Sequence, residues 1–227
     1  MSKKLLLNAD GKVLTSNDKI YTASETINVM KALLDGRGDA QYLFYSYDGE
    51  SVDHLISYSD TENVIEVHYM FSYCRNLQTI PLLDTSNVTY MEKMFDNCRS
   101  LQTTPQLNTS KVSEMSNMFN NCYKLQTIDL TSMDKITSTS RSNSFANNCY
   151  SLTKLIIRTM TVMPSLNTNS FTNCYHFTGT KNSTYNPKGL KDGRIYVPDD
   201  FVEQLKTATN WSAYADIIVP LSTLQEE

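Results

Sequence analysis

Three kinds of side chain in this 227-residue sequence have the chemistry to act as nucleophiles, bases or metal ligands: five cysteines, three histidines and a scatter of carboxylates. Cys74, Cys98, Cys122, Cys149 and Cys174 are the whole thiol complement, and all stand at the same place in a recurring phrase. Metal binding calls for Cys-x-x-Cys or Cys/His clusters, and the sequence has neither, so no metal and no cofactor is expected. Stacked at strand spacing, neighbouring cysteines would lie about 5 Å apart with parallel Cα–Cβ vectors, a poor geometry for a disulfide. The thiols are therefore expected to be reduced and buried, acting as small hydrophobes. On that reading Cys122→Ala costs about 1–2 kcal/mol, and serine costs more for want of a hydrogen-bond partner.

The remaining constellations are weaker. His176 lies two residues from Cys174, but a Cys/His pair needs an exposed, activated thiol. Asp53-His54 with Ser57 and Ser59 can be drawn as a triad, yet adjacent side chains on one strand seldom converge. Arg37-Gly38-Asp39 is short enough to be a plain helix-ending loop, with Gly36 and Gly38 supplying permissive angles. No glycine-rich phosphate loop is present among only 7 glycines. The expectation is that the chain is not an enzyme.

The phrase that carries the cysteines organises the chain. It reads Met70-Phe71-Ser72-Tyr73-Cys74, Met94-Phe95-Asp96-Asn97-Cys98, Met118-Phe119-Asn120-Asn121-Cys122, then versions ending in Cys149 and Cys174, with Phe-to-Phe intervals of 24, 24, 26 and 26 residues. A fixed period in this range marks a repeat architecture whose units stack. Leu77, Leu101, Leu125 and Leu152 follow the cysteines, and each opens an apolar-x-x-apolar-x-apolar run that ends as a short alternating strand. Residues 80, 82, 128, 130, 155 and 157 are expected to point inward. Elsewhere in the unit apolar residues recur every three or four positions, which predicts a helical or 3₁₀-like turn on the opposite wall.

The Phe-x-x-Cys-x-x-Leu-x-x-Ile-x-Leu/Ile unit, with joints such as Asp84-Thr85-Ser86-Asn87-Val88, resembles the BspA-like leucine-rich-repeat proteins over about residues 43–221. The resemblance implies an α/β solenoid of about six units with a parallel β-sheet face. It also implies binding without catalysis, since members of that family are known chiefly as surface and adhesion proteins.

The domains then read as an N-terminal hairpin and helix cap over 1–41, a solenoid over 42–198 and a C-terminal helical cap over 199–227. In the first, two apolar runs flank Asp10-Gly11, a hairpin-turn signal, and Ile27, Met30, Leu33 and Leu34 share a helix face. This segment could instead dock to an assembly partner. Tyr42 to Val64 reads as a degenerate first unit. In the third, Phe201, Leu205, Ala208, Trp211, Tyr214, Ala215 and Ile218 form a stripe at helical spacings, with Trp211 as the anchor.

The outward strand positions are the candidate binding face: Thr79, Thr103, Thr127 and Lys154 in one column, Pro81, Pro105, Asp129 and Ile156 in the next, and Leu83, Leu107, Thr131 and Arg158 in a third. Such a face suits a protein or surface glycan, or else is merely solvated. A net charge of −4 and a pI near 5.4 exclude a nucleic-acid groove, which needs a clustered basic face. No stretch is long enough for membrane insertion. Lys3-Lys4 precedes too short an apolar run for an export signal, so a phage virion component, on tail or head surface, stands as the alternative to a surface adhesin.

Overall fold

The structure, a computed structural model, describes residues 6–7, 13–14, 40–52, 56 and 61–225. The expected helix before Gly36, the Arg37-Gly38-Asp39 tripeptide and the Asp53-His54/Ser57/Ser59 group lie outside the described residues. Near the N-terminus β1 (Leu6–Leu7) pairs antiparallel with β2 (Val13–Leu14), and the Asp10-Gly11 turn signal lies outside the described residues.

Each repeat is built around its Phe-x-x-Cys phrase. Met70 N–H bonds to the Val67 carbonyl at 3.1 Å, Cys74 N–H to Phe71 at 3.1 Å and Leu77 N–H to Cys74 at 3.2 Å, so consecutive tight turns follow one another. The intervening amides point to the next unit: Phe71 N–H reaches the Met94 carbonyl at 2.9 Å, Phe95 N–H reaches Met118 at 2.9 Å and Phe119 N–H reaches Phe145 at 2.8 Å. From Met94 to Cys98 the backbone donors thereby alternate between closing their own turn and joining the neighbour, which satisfies the buried amides without a helix.

The expected helical wall is therefore corrected to a run of turns. Two residues per unit, four apart, take left-handed angles, as at Tyr69 and Tyr73 (φ 59° and 65°), Lys93 and Asn97 (54° and 62°) and Asn117 and Asn121 (55° and 62°). A left-handed residue at every fourth position interrupts any right-handed helix, and asparagine tolerates that conformation better than most side chains. Among the described residues the α-helices are short, at Tyr175–Thr178 and Val202–Thr207, and none is long and apolar enough to cross a membrane.

Opposite the turns lies a parallel sheet of β3 (Thr127–Leu130), β4 (Lys154–Ile157), β5 (Arg194–Val197) and β6 (Ile218–Pro220), in the order β3-β4-β5-β6. Bridges at Thr103↔Thr127 and Leu107↔Leu130 carry the pairing one unit further toward the N-terminus, without a regular strand. Two sequence features explain the break. Pro81 and Pro105 lack the amide a ladder needs. Their strand segments also hold one residue more, since Thr103 to Leu107 spans four steps where Thr127 to Leu130 spans three.

That extra residue reverses the alternation. Ile80, Ile128, Leu130, Leu155 and Ile157 are buried as expected, but Leu82 is 54% exposed, while Leu83 and Leu107, expected to face outward, are buried. β6 is a second correction, because Ile218 was expected on a helical stripe and instead extends the sheet, pairing with Ile195. The rest of the C-terminal segment matches its reading more closely. Trp211 is 1% exposed and its Nε1 donates to the Pro164 carbonyl at 2.9 Å, anchoring the segment to the preceding unit.

The core is continuous from Ala40 to Ile218. Phe44, Phe71, Phe95 and Phe119 stack with centroids 5.2, 5.4 and 5.3 Å apart and planes within 7° of parallel. The last two steps turn edge-on, at 88°, where the repeat lengthens from 24 to 26 residues. The whole is an α/β repeat-like fold: a four-stranded parallel sheet with few helices.

Candidate binding face and thiol ladder

The sheet face is open at its N-terminal end and closed further along. Thr79 and Thr103 are exposed, Pro81, Pro105, Thr127 and Lys154 are half-buried, and register aligns Thr127, Lys154 and Arg194 across three strands. The second column departs from its expected role. Asp129 is only 9% exposed and Ile156 only 5%, so neither presents much surface to a partner.

Arg158 explains the closure. Its Nε donates to Asp129 Oδ1 at 2.9 Å and its Nη2 to Oδ2 at 2.7 Å, a forked pair that lies across the sheet surface between adjacent units. With Asp129 side-chain exposure at 12% and Arg158 at 29%, the pair is too enclosed to be a loose surface contact. Breaking it strands a buried carboxylate, at a cost of about 3–5 kcal/mol for a fully buried pair and less here. Asp129 and Arg158, placed on the candidate face from the sequence as separate contacts, are thus one structural clasp.

The same face also includes residues that the sequence reading left out. Arg194 and Tyr196 of β5 align with Lys154 and Ile156, and Val219 of β6 aligns with Tyr196. Gly193 to Pro198 does read as a strand, and period-two alternation along it places Arg194 and Tyr196 outward; β6 gave no comparable signal.

The five cysteines come together in one column, as their register implies, and all are free thiols fully out of solvent. Each thiol has a hydrogen-bond acceptor. Cys74 Sγ donates to the Phe44 carbonyl at 2.9 Å, Cys98 to Phe71 at 3.0 Å, Cys122 to Phe95 at 3.1 Å and Cys149 to Phe119 at 3.0 Å. The last, Cys174, bonds Ala146 at 3.1 Å, one residue along, because the Phe145-Ala146-Asn147-Asn148-Cys149 phrase holds one residue more between its phenylalanine and its cysteine.

Phe95 O also accepts the Cys98 amide at 3.0 Å, so one carbonyl serves its own turn and the next unit's thiol. Burial pushes the thiols of Cys98, Cys122, Cys149 and Cys174 above their ordinary range, the reverse of what a nucleophile needs. The expectation that serine here would lack a partner is corrected: the partner is a backbone carbonyl.

Beside the thiols runs a polar column. Asp96 is 6% exposed, and its Oδ1 accepts from Asn97 Nδ2 at 3.0 Å and Asn120 Nδ2 at 2.9 Å. Burial raises its pKa against the pull of those two donors. On the outer turn wall Tyr123, Tyr150 and Tyr175 stack at 4.8 and 5.3 Å, with the Arg99 guanidinium 5.3 Å from the Tyr123 ring. Among the described residues no group of three metal-ligating side chains converges.

His176, near the thiol column in sequence, is turned to a different task. Its Nδ1 lies 2.7 Å from Asp192 Oδ1 and its Nε2 lies 3.0 Å from the Tyr185 carbonyl, tying down the segment before β5.

A parallel-sheet, repeat-like protein with a ladder of buried thiols is the class that these features define. The particular family follows from residues 39–160, which match the model described as Mycoplasma protein of unknown function, DUF285. The chain belongs to that family, which is associated with BspA-like repeat proteins. No match was found among curated proteins or solved structures.

Proposed function

We propose that the repeats form a leucine-rich-repeat solenoid of six coils, and that it acts as a non-catalytic recognition module for a protein or a surface glycan. The observation that carries this reading is the in-register stacking of equivalent positions, which lines up exposed side chains such as Thr79 and Thr103 into columns a partner can follow. The non-catalytic part rests on the state of the reactive groups: thiols buried and hydrogen-bonded, and the Asp129 carboxylate clasped by Arg158.

The test is binding to a glycan array and to a panel of extracellular proteins, comparing the native chain with a Thr79→Glu/Thr103→Glu variant. Both positions are exposed, so the variant should keep its melting temperature and lose the partner. A partner retained in full by that variant would move the binding site off the open end of the sheet. Arg158 is unsuitable for this purpose, because its removal disturbs Asp129 as well as any contact.

A further inference from the structure

A cleft of about 350 Å³ opens between the first two units, lined by Ser46, Tyr47, Asp48, Tyr73, Arg75 and Asn76. Its lining has an unusual composition for a surface groove. Among the described residues that line it none is aliphatic, and their polar groups are planar or hydroxylic. Tyr73 is 36% exposed, with the Arg75 guanidinium 5.7 Å from its ring centroid.

Tyr47, by contrast, is buried, and its hydroxyl donates to the Ser51 carbonyl at 3.3 Å, so it forms a fixed floor. Asn76 Nδ2 donates to the Asp48 carbonyl at 2.9 Å, which holds the two sides of the cleft together. That bond leaves the Asn76 carboxamide oxygen facing no described donor. The Asp48 carboxylate and the Arg75 guanidinium line the same cleft, yet they form no ion pair with each other.

We propose that this cleft is a subsite for a neutral pyranose sugar. Sugars are held by an aromatic ring under the C–H face and by planar carboxylate, carboxamide and guanidinium groups that meet adjacent hydroxyls. The Tyr73 ring, the Asp48 carboxylate, the Arg75 guanidinium and the Asn76 carboxamide all line the cleft, the last with its Nδ2 already engaged by the Asp48 carbonyl. Among the described lining residues one carboxylate, Asp48, and one guanidinium, Arg75, offset each other, which favours an uncharged ligand over an anionic one. A peptide groove would need apolar pockets for side chains, and the described lining residues supply none. A volume of about 350 Å³ is enough for one ring. The site is separate from the open end of the sheet, so the proposal stands or falls independently of the sheet-face reading.

The experiment titrates the native chain with methyl pyranosides of glucose, galactose, mannose and N-acetylglucosamine, following amide and side-chain shifts by NMR. At least one should bind saturably with Kd on the order of 1 mM, as expected for a shallow single-sugar site, with shifts confined to residues 46–48 and 73–76. Tyr73→Asn is the decisive variant. Tyr73 has φ 65°, and asparagine occupies the equivalent left-handed position as Asn97, Asn121 and Asn148, so the backbone is preserved while the ring is lost. Affinity should fall by about tenfold or more, and Asp48→Asn should fall similarly. Thr79→Glu/Thr103→Glu should bind the sugar as the native chain does. No saturable binding of any pyranoside overturns the proposal, as does binding that Tyr73→Asn leaves unchanged. Binding of acidic peptides or uronates in preference to all four neutral sugars also overturns it.

Discussion

Replacing Cys122 separates the packing role of the thiol ladder from its hydrogen bonding. Cys122 is fully buried, and its Sγ lies 3.1 Å from the Phe95 carbonyl. Alanine removes the sulfur, leaves a small void and deletes the S–H···O contact. It does not orphan the carbonyl, which keeps the Cys98 amide at 3.0 Å. The lost packing alone should therefore dominate, at about 1–2 kcal/mol. Serine leaves a smaller void and supplies a hydroxyl that can donate to Phe95 O, so desolvation of its hydroxyl is offset by a bond worth about 1 kcal/mol. Cys122→Ser should cost no more than Cys122→Ala. Urea unfolding followed by circular dichroism, with the slope unchanged between variants, measures both. If serine proved more destabilising than alanine by over about 1 kcal/mol, an unpartnered buried hydroxyl would be indicated, and the thiol-to-carbonyl bond would be wrong.

Asp96→Asn should stabilise the fold at neutral pH. The Asp96 pKa is raised by burial, so the carboxylate favours folding only when protonated, and its contribution is lost as pH rises through the folded value. The variant's gain in melting temperature should thus be present at pH 7 and vanish toward the acid end of the carboxylate range; a gain independent of pH would argue against a buried carboxylate. Trp211→Ala should cost about 3–5 kcal/mol and Trp211→Phe roughly 1–3 kcal/mol, the latter by leaving the Pro164 carbonyl without its donor. A Trp211→Phe cost near zero by urea unfolding would show that the indole N–H does not contribute.

What was legible in the sequence was whatever repeated in both residue type and interval. Phe71, Phe95 and Phe119 recur with Cys74, Cys98 and Cys122 at fixed spacing, which predicts one shared interior column, and the structure has it. The carbonyl that each thiol meets could not be read, because it belongs to the previous unit's backbone and residue identity does not encode it. Leu82 and Leu83 were misassigned because one extra residue beside Pro81 shifts the alternation, and a period of two turns a one-residue slip into a change of face. Apolar spacing at three and four suggested helix on the turn wall. The left-handed positions break it, and half of them carry Tyr, Ser or Lys, with no conformational signature of their own. Ile217-Ile218-Val219-Pro220 follows an amphipathic helix so closely that its strand was hidden. The open end of the candidate face, Thr79 and Thr103, is exposed as its alternation implied. Asp129 and Arg158 are separated by 29 residues, and their pairing depends on register that only the folded units supply.

The units stack so that all five cysteines face one sealed interior. Alkylation by iodoacetamide with mass-spectrometric readout at each cysteine tests this directly. The native chain should label slowly at Cys74, Cys98, Cys122, Cys149 and Cys174 alike, and all five should label at once as free thiols in denaturant. Rapid native labelling of Cys98 or Cys122, from the middle of the stack, would contradict it, as would fewer than five free thiols after unfolding.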